Sequence, residues 1–529
     1  MSRNIMESTL EPVPAIIDYT AELQALRRFQ HGEEIGNDMS LADLLAKIVT
    51  KATPRLQVIK KLHERYALEH IPTLHDRPVC DPMDIDNRLN NDFFSQIVNE
   101  KSGYFSGNPM TFSFDKEDEK ASELFDNFKV RVRLDDINYE TTKNCSIGGY
   151  DARLIYLKQE YIGHVNGVPK YTTVEAVKQI PAYEAILLGE FGYDEPEFGI
   201  RTFVYQDLKG NDVSRVELYM PFKAHIYEGD TINDLSPVGQ FVNEIVLNVE
   251  TGETATELGV IEYPFTKCPL YGYENNAELL GDAEPVLTLI DDYDRTTSDT
   301  SSELEANRGA YLAFFGVTPP KNGFDSTSTG TMYFKNDTNV KQDAKFITKD
   351  LPVAAKEAHL DRLERNIYLF SQTPNLTQKE TGMAVSGEAL RQRMMPLEAK
   401  TASFERKFVS GNIRMLECLR DFYKFAYGIE FDPYKVTQSF RRKMPENLEY
   451  EGKVFEMFKG VLPMNMVYGL LSFVDNPDEL AAWYKENKAD ELSDLYNPPT
   501  PIDTGNGGGN IDGSGNAGVD AVNVDAIDK

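Results

Sequence analysis

The residues best suited to chemistry in this sequence are three histidines, His63, His70 and His75, which lie close together. Zinc hydrolysis would need an HExxH spacing, in which two histidines on one helix face hold the metal and the glutamate acts as a base. Neither that pattern nor an acidic partner pattern accompanies these histidines. We therefore interpret them as ordinary surface or interface residues and predict no metal site.

Residues that could bind phosphate or act as nucleophiles occur in the wrong context. Gly452-Lys453 would end a GxxxxGK phosphate-binding loop, but Asn447 stands where the first glycine is needed. No GxSxG is present, and Ser386-Gly387 is better explained as the cap of the helix that follows. The sequence therefore predicts a protein that is not an enzyme and needs no cofactor.

The cysteines and the apolar stretches bear on the compartment. Cys80, Cys145, Cys268 and Cys418 are far apart, so we expect reduced thiols rather than a zinc site or a disulfide framework. The stretch VLPMNMVYGLLSFV (461–474) is interrupted by Asn465 and is shorter than the ~20 residues of a membrane-spanning helix. The first residues, MSRNIMESTLEPVP, lack the apolar core of a signal peptide. These features favour a cytosolic assembly pathway without membrane contact.

The chain has 529 residues, enough for several structural units, and it is strongly acidic. Its formal charge is −30, from 85 acidic and 55 basic side chains. Such a balance argues against coating nucleic acid by neutralising its phosphates. This acidic charge suits a protein surface past which DNA moves without being held, and it equally suits a protein that only needs to be soluble.

Helical and extended patterns follow each other in blocks, which predicts an α+β fold. Residues 15–73 are helical in pattern, and one apolar face carries Leu41, Leu44, Leu45 and Ile48. Residues 129–265 contain short apolar or alternating runs separated by Gly, Asn and Asp, which indicates strands. These runs are KVRVRL (129–134), ARLIYLK (152–158), AYEAILL (182–188), IRTFVYQ (200–206), SRVELYM (214–220) and NEIVLNV (243–249).

The segment RLNNDFFSQIVNEKSGYFSGNP (88–109) predicts a short amphipathic helix that runs into a turn. Leu89, Phe93 and Ile97 fall on one face of this helix. Gly103 and Gly107 predict the turn, and MTFSF (110–114) predicts an extended segment after it.

Two polar helices with short strands between them are predicted next. Residues 282–305 carry eight acidic groups and one arginine, so this helix must face water, a lumen or neighbouring subunits. Residues 311–349 contain three short strand patterns separated by turns. After Pro352 a narrow apolar stripe suits packing against another helix, and it consists of Leu360, Leu363, Ile367 and Phe370.

A long helix is predicted from Ser386, with apolar residues at spacings of four and three. These are Leu390, Met394, Leu397, Thr401, Phe404 and Phe408, continued by Met415 and Phe422. Pro396 lies inside this helix and removes a backbone hydrogen bond, which predicts a kink. Residues 386–424 hold eight Lys/Arg and five Asp/Glu, which fits DNA contact or salt bridges between subunits. Three more helices are predicted after Pro445.

Four segments, kept in order, resemble bacteriophage portal proteins, the head-to-tail connectors of tailed phages with long non-contractile tails. They are residues 88–109, GDAEPVLTLIDDYDRTTSDTSSELEANRGAYLAFFG (281–316), SGEALRQRMMPLEAKTASFERKFVSGNIRMLECL (386–419) and PENLEYEGKVFEMFKGVL (445–462). The similarity runs from about residue 45 to about residue 490. None of the four is a catalytic signature, so the specificity lies in their order.

The resemblance implies a portal fold that assembles as a ring, usually of twelve copies. We expect an N-terminal helical region with a β-rich wing (1–281), a first stem helix (282–310), a small α/β clip (311–350) and a second stem helix (351–373). A tunnel loop (374–385) and a kinked tunnel helix that returns to the wing (386–444) would follow. A helical crown (445–497) and a disordered tail (498–529) would complete the chain.

The resemblance also implies where DNA and partners make contact. The tunnel loop would be the narrowest part of the channel, with Asn375, Thr377, Gln378 and Lys379 near DNA, unless it is only an exposed loop. The clip would meet the terminase and later the adaptor through Lys335, Lys341 and Lys345, unless these lysines are an ordinary solvated surface.

Two classes of function follow. In the first, the chain is a portal protein at the capsid vertex of a virion, assembled in the host cytoplasm. Double-stranded DNA would pass through its ring, and its partners would be the terminase large subunit, an adaptor or head-completion protein, and the major capsid and scaffold proteins. In the second, it is an acidic structural subunit of a capsid or another assembly, without a channel. The polar helix 282–305 followed by a compact β insertion favours the portal.

Overall fold

The computed structural model describes residues 13–36, 39–77, 85–165, 168–190, 192–238, 259–306, 311–315, 331–334, 343–347, 353–375, 387–442, 448–471, 474, 477 and 480–485. The chain divides into two compact units, residues 1–444 and 445–529. Each unit is described by itself.

Three helices begin the first unit: α1 Thr20–Gln30, α2 Leu41–Tyr66 and α3 Pro72–His75. Helix α2 starts with a capping box, in which the Ser40 hydroxyl accepts from the Asp43 backbone N–H and the Asp43 carboxylate accepts from the Ser40 N–H. The predicted apolar face of α2 is confirmed, because all four of its residues are buried: Leu41, Leu44, Leu45 and Ile48.

Three more helices follow: α4 Phe93–Ser106, α5 Glu119–Val132 and α6 Leu134–Gly148. The amphipathic helix predicted within 88–109 is α4, but it begins at Phe93, and Leu89 lies outside it and is exposed. The turn predicted at Gly103 is wrong, since the helix continues to Ser106. Tyr104 and Phe105 are buried beyond this glycine, and their packing outweighs its helix penalty of about 1 kcal/mol.

The strand predicted for KVRVRL (129–134) is also wrong. Its first four residues end α5, and its last residue begins α6. Phe125 and Phe128 are fully buried at helical spacing on α5, whereas Val130 is exposed, so the side chains follow the period of a helix. Arg133 separates the two helices in the left-handed conformation, with φ of 55°.

The first ten strands are β1 Thr111–Ser113, β2 Tyr150–Val165, β3 Val168–Ile180, β4 Ala185–Leu188, β5 Phe198–Gln206, β6 Asp212–Met220, β7 Lys223–Gly229, β8 Ser236–Pro237, β9 Val260–Glu262 and β10 Leu270–Glu274. The strands predicted within 152–158, 182–188, 200–206 and 214–220 are confirmed. The run NEIVLNV (243–249) lies outside the described residues.

These strands form two antiparallel sheets. One has the order β10-β2-β3, and the other has the order β4-β5-β6-β7-β8, with β9 also paired to β7. Helices α1 and α2 pack on the second sheet through a shared apolar core. The region that holds these two sheets, from Tyr150 to Glu274, begins and ends at the same place. There the Asn275 backbone N–H donates to the Gly149 carbonyl at 2.9 Å.

Two helices with a small sheet between them come next. Helix α7 is Leu287–Ala306 and α8 is Val353–Ser371. The intervening strands are β11 Tyr311–Phe315, β12 Thr331–Phe334 and β13 Asp343–Ile347, as predicted. Strand β11 is central, parallel to β12 and antiparallel to β13.

The 41-residue helix α9, Gly387–Tyr427, contributes Phe404, Phe408 and Phe422 to an apolar core shared with α5 and β10. It leads to β14 Thr437–Ser439, which pairs antiparallel with β1. The extended segment predicted at 110–114 is thereby confirmed. The predicted seam of α9 is also confirmed for its described side chains, which are buried: Met394, Leu397, Thr401, Phe404, Phe408, Met415 and Phe422. The side chain of Leu390 and the cap residue Ser386 lie outside the described residues.

The second unit contains α10 Leu448–Phe458 and α11 Met464–Tyr468, and residues 480–485 are also helical. Helices at these three places agree with the prediction for the region after Pro445. The tail 498–529 lies outside the described residues.

Candidate functional site

Helices α7 and α8 pack side by side and run in opposite directions. Where the last turn of α7 meets the first turn of α8, Lys356 bonds Glu303 at 2.5 Å. Closer to the start of α7, the His359 Nε2 atom is 3.0 Å from an Asp292 carboxylate oxygen. The apolar stripe predicted for α8 is only partly correct. Leu363 and Ile367 are buried, but Phe370 is 60% exposed, and Tyr368 is buried in its place. We call this pair the α7–α8 hairpin.

An extended segment before α4 lies along α7 and is held by a ladder of hydrogen bonds. Backbone N–H groups of Asn87 and Leu89 donate to the hydroxyls of Ser302 and Ser298, at 2.9 and 3.0 Å. The N–H of Asn91 donates to Asp294 at 2.8 Å. Two residues of an extended chain and four of a helix both span about 6–7 Å, so alternate amides match successive helical turns.

This ladder corrects the prediction for one face of the polar helix 282–305, which was expected to face water, a lumen or other subunits, whereas Arg295 and Asp299 on the remaining surface are exposed. Asp294 and Ser298 are fully buried, and Ser302 is nearly so. The face is polar but is covered by backbone from the same chain, whose donors bond Asp294 Oδ1, Ser298 and Ser302, while the buried Asp294 Oδ2 atom has no hydrogen-bond partner among the described residues. We call residues 87–91 the strap.

Loss of the contact at the Asn91 end of the strap should weaken the fold measurably. We expect Asp294→Ala to lower the free energy of unfolding by about 1–3 kcal/mol, because it removes the acceptor of the Asn91 N–H and one of the two acceptors of the Asn91 side-chain amide, the other being the Thr297 hydroxyl. Arg295→Ala, an exposed change on the same helix, should alter it by less than about 1 kcal/mol. Urea denaturation measures both, and equal effects would contradict the assignment.

A buried carboxylate lies where the hairpin begins. The Asp282 Oδ2 atom is 3.0 Å from the Lys101 Nζ atom, and its Oδ1 atom is 2.9 Å from the Lys400 Nζ atom. The Ser146 hydroxyl donates to Oδ2 at 2.6 Å, and the Asn275 amide donates to Oδ1 at 3.1 Å. Burial opposes ionisation, but the two lysines and these donors outweigh it and hold the pKa of Asp282 below its ordinary value. We call these five residues the Asp282 cluster.

The Asp282 cluster joins elements that are distant in sequence. Lys101 comes from α4, Ser146 from α6 and Lys400 from α9. The Lys101 Nζ atom also lies 4.2 Å from the centre of the Phe404 ring, a cation–π distance. The site therefore fixes four segments around the start of the hairpin.

Two glycines allow the backbones to approach beside this cluster. Gly149 has φ of +91°, and a Cβ there would lie 2.1 Å from the Leu279 carbonyl oxygen. A Cβ on Gly281 would lie 2.2 Å from the Ile147 carbonyl oxygen. Any side chain at either position would push α6 away from the segment that enters α7.

Helix α2 is tied to the same end of the hairpin by arginines. Arg55 bonds Glu284 at 2.7 Å and donates to the Leu279 carbonyl at 2.8 Å. One turn into α7, Asp291 accepts from Arg65 at 2.6 Å. These pairs are partly or largely buried, so they hold the start of α7 against the N-terminal helices.

The residues predicted near DNA are only partly within the described structure. Asn375 donates through its side-chain amide to the Glu364 carboxylate of α8 at 3.0 Å. Thr377, Gln378 and Lys379 lie outside the described residues. Pro396 lies inside α9, which continues as a helix on both sides of it. The kink at Pro396 stays a prediction.

The predicted lysines of the small sheet are likewise only partly described. Lys345 is exposed on β13, and its Nζ atom is 3.4 Å from the Asp343 carboxylate. Lys335 and Lys341 lie outside the described residues.

The local positive excess of 386–424 is largely paired within the chain. Lys400 pairs with Asp282, Lys407 with Glu274, Arg414 with Glu417, Arg420 with Asp421 and Lys424 with Glu430. The two alternatives from the sequence, DNA contact and salt bridges between subunits, stay predictions for the exposed members such as Lys424.

The histidines and cysteines take structural positions. His63 is half-buried rather than on the surface; its ring meets Tyr183 edge to face, and burial, aided by the nearby Lys143, lowers its pKa to about 4. His70 stacks on His75 with ring centres 5.3 Å apart. Three cysteines are buried and have no disulfide: Cys145, Cys268 and Cys418. Cys80 lies outside the described residues.

The described part of the chain offers neither a cluster of metal ligands nor a membrane-spanning helix. Across its ranges, no three His, Cys, Asp or Glu side chains are arranged to hold a metal ion. Among the same residues, no helix is both long and apolar enough to cross a membrane.

Two more buried ionisable side chains, missed from the sequence, lie on β2. Arg153 is completely buried and donates to the Thr141 hydroxyl, the Tyr273 hydroxyl and the Asn138 side chain, each at 2.9 Å. Asp151 is also completely buried, and burial raises its pKa to about 7.

The raised pKa of Asp151 predicts a pH dependence of stability. The folded pKa lies above the ordinary value of 3.8, so its contribution is full below pH ~4 and is lost as the pH rises through about 7. We expect the wild type to lose roughly 2–3 kcal/mol more than Asp151→Asn between pH 5 and pH 8. Urea unfolding at both values checks this, and identical losses in the two proteins would refute it.

The fold and site define a structural class of protein. A body of helices and two sheets carries a helical hairpin with a small sheet at its far end, and the described charges of the site are engaged in internal pairs. A profile of the family described as phage portal protein, SPP1 Gp6-like, matches residues 46–493. The chain belongs to this phage portal protein family.

Two relatives are named portal proteins. That of Bacillus phage SPP1 is 22% identical over 419 residues, which cover 77% of this chain and 77% of the relative. That of Clostridium phage phiCD119 is 24% identical over 428 residues, which cover 78% of this chain and 88% of the relative. The resemblance inferred from the sequence segments is thereby confirmed.

Proposed function

We propose that this protein forms the ring at the portal vertex of a tailed phage, through which double-stranded DNA is packaged and ejected. The observation that carries the proposal is the family match across 46–493, which includes the α7–α8 hairpin and the sheet between its helices. In this proposal about twelve copies surround the channel. The chain acts as a structural protein of the virion and needs no catalytic site of its own.

The acidic composition supports passage of DNA rather than its retention. Each copy carries a formal charge of −30, so a ring of copies repels phosphates except where lysines are locally exposed. In the proposal, the connection between α8 and α9 is the tunnel loop, and Asn375, Thr377, Gln378 and Lys379 lie nearest to the DNA. A separate terminase supplies the energy of packaging.

The small sheet of β11, β12 and β13 is proposed as the clip, which docks the terminase large subunit and afterwards the adaptor or head-completion protein. Lys335, Lys341 and Lys345 are its candidate contacts. The major capsid and scaffold proteins are the proposed partners during assembly of the head.

Light scattering and negative-stain imaging test the ring. We expect a particle many times heavier than the 59.8 kDa chain, with a central hole. A stable monomer at micromolar concentration would overturn the proposal. A compact oligomer without a hole would favour the alternative, an acidic structural subunit of a capsid or other assembly.

A further inference from the structure

We propose that Lys400 is a positioning residue, which fixes the end of α8, and with it the start of the connection to α9, against the beginning of the α7–α8 hairpin. The inference rests on the proposed function, in which that connection lines the channel. Its role is to hold the described ends of the connection in a fixed place while DNA moves past.

The Lys400 ammonium group has two partners from different helices. It lies 2.9 Å from the Asp282 Oδ1 atom, just before α7, and donates to the Ser371 carbonyl oxygen at 2.9 Å. Its side chain is only 15% exposed, so solvent screens these contacts weakly. One residue of α9 thus binds both ends of the hairpin.

The Ser371 carbonyl is a natural acceptor for this charge. Helix α8 ends in a Schellman motif, with the Thr373 N–H bonded to the Tyr368 carbonyl and the Gln372 N–H bonded to the Leu369 carbonyl. The Ser371 carbonyl oxygen, at the end of the helix, accepts no hydrogen bond from a backbone N–H of α8. A cation there is also favoured by the negative end of the helix dipole.

The backbone at this point needs support from its surroundings. Gln372 adopts φ of +56°, a left-handed conformation that costs a non-glycine residue of order 1 kcal/mol or more. The next residue, Thr373, is buried, and Asn375 is tied back to Glu364. Lys400 therefore bonds the carbonyl that directly precedes the strained residue.

The position of Lys400 in α9 adds to this role. Pro396, one turn earlier, has no backbone N–H, so the Gln392 carbonyl lacks its usual helical donor. Helix α9 therefore lacks one of its own backbone hydrogen bonds in the turn before Lys400. Lys400 is the first residue of α9 beyond this turn that bonds to both ends of the hairpin.

Lys101 offers a contrast within the same cluster. It shares Asp282 with Lys400, but its other partners are the Asn275 side chain and the Phe404 ring. Loss of Lys101 should thus weaken the fold as a whole. Loss of Lys400 should also release the end of α8 in particular.

The test uses full-length rings and compares Lys400→Met with Lys101→Met and Lys424→Met. Lys424 is an exposed residue of the same helix, paired with Glu430, and its variant removes the same charge. Hydrogen exchange of the amides in 368–375 is measured by mass spectrometry, together with the DNA packaged per prohead. We expect Lys400→Met to speed exchange of this segment at least tenfold and to lower the packaged DNA several-fold.

The controls separate positioning from general stability. Lys101→Met should lower the melting temperature without a selective rise of exchange in 368–375, and Lys424→Met should change neither. Unchanged exchange in Lys400→Met, or an equal rise in Lys101→Met, would overturn the inference. If Lys400→Met does not form rings, the exchange of 368–375 is compared between the unassembled full-length chains of Lys400→Met and the wild type, with the same expected and contradicting results. Failure of wild-type rings to package DNA would count against the proposed function, while the exchange data would still decide the role of Lys400.

Discussion

Replacing Asp282 by alanine is expected to remove about 3–5 kcal/mol of folding free energy. The carboxylate is buried between Lys101 and Lys400, and Lys101 is only 1% exposed. Its removal leaves an ammonium group inside the protein without a counter-ion, which is more harmful than the loss of an attraction. Guanidinium unfolding at a fixed protein concentration measures the change, since ring assembly makes stability depend on concentration.

A double variant distinguishes this cause from simple loss of packing. Asp282→Asn combined with Lys101→Met removes both members of the buried pair, so it should recover more than half of the stability lost by Asp282→Asn alone. Glu430→Ala, which breaks an exposed pair with Lys424, serves as the control and should cost less than about 1 kcal/mol. Additive losses in the double variant would show that the buried charge is not the cause.

Lys379→Glu should leave folding nearly unchanged and severely impair packaging. In the proposed tunnel loop, each subunit changes by two charge units, or about 24 in a ring of about twelve copies, at the narrowest part of a poorly screened channel. DNA would meet a repulsive barrier there. An in vitro packaging assay with assembled proheads measures the effect, and normal filling with intact Lys379→Glu rings would show that the loop is not the constriction.

Pro396→Ala is the companion variant for this prediction. It restores a backbone donor in α9 without changing the charge of the loop, so it should straighten the helix and alter the ring diameter or the loop position. Electron microscopy of the rings reads out that change. A ring identical to the wild type would mean that the proline does not bend the helix.

The sequence was most informative where one helix carried a long apolar pattern of its own. The face of α2 that begins at Leu41 and the seam of α9 from Met394 to Phe422 are both buried as predicted. The period of these patterns extends over several turns, so the helix assignment is secure. The strand predicted for KVRVRL was wrong because six residues are too few to distinguish the two-residue period of a strand from the 3.6-residue period of a helix.

The polar surfaces of α7 could not be predicted from α7 alone. Its buried face is polar because a segment some 200 residues earlier supplies backbone donors to Asp294, Ser298 and Ser302. Nothing in the composition of 282–305 encodes that partner.

The Asp282 cluster could have been found in part. Lys101 follows Phe94, Ile97 and Val98 at helical spacing and therefore lies on the apolar face of α4, a position where a lysine needs a buried partner. The sequence does not identify that partner, because Asp282 reaches Lys101 and Lys400 only in the tertiary fold.

The bond between Asn275 and Gly149 has an evolutionary consequence. The region from Tyr150 to Glu274 begins with β2 and ends with β10, which are paired strands, so both of its connections to the surrounding helices lie side by side. We call this region a cassette, because its two ends are held together. Loops inside such a cassette can lengthen or shorten without moving the hairpin, provided that the faces against α2 and α9 are kept. We expect portal proteins of different phages to differ most in length within this region, and chimaeras that exchange it as one piece to keep the frame intact.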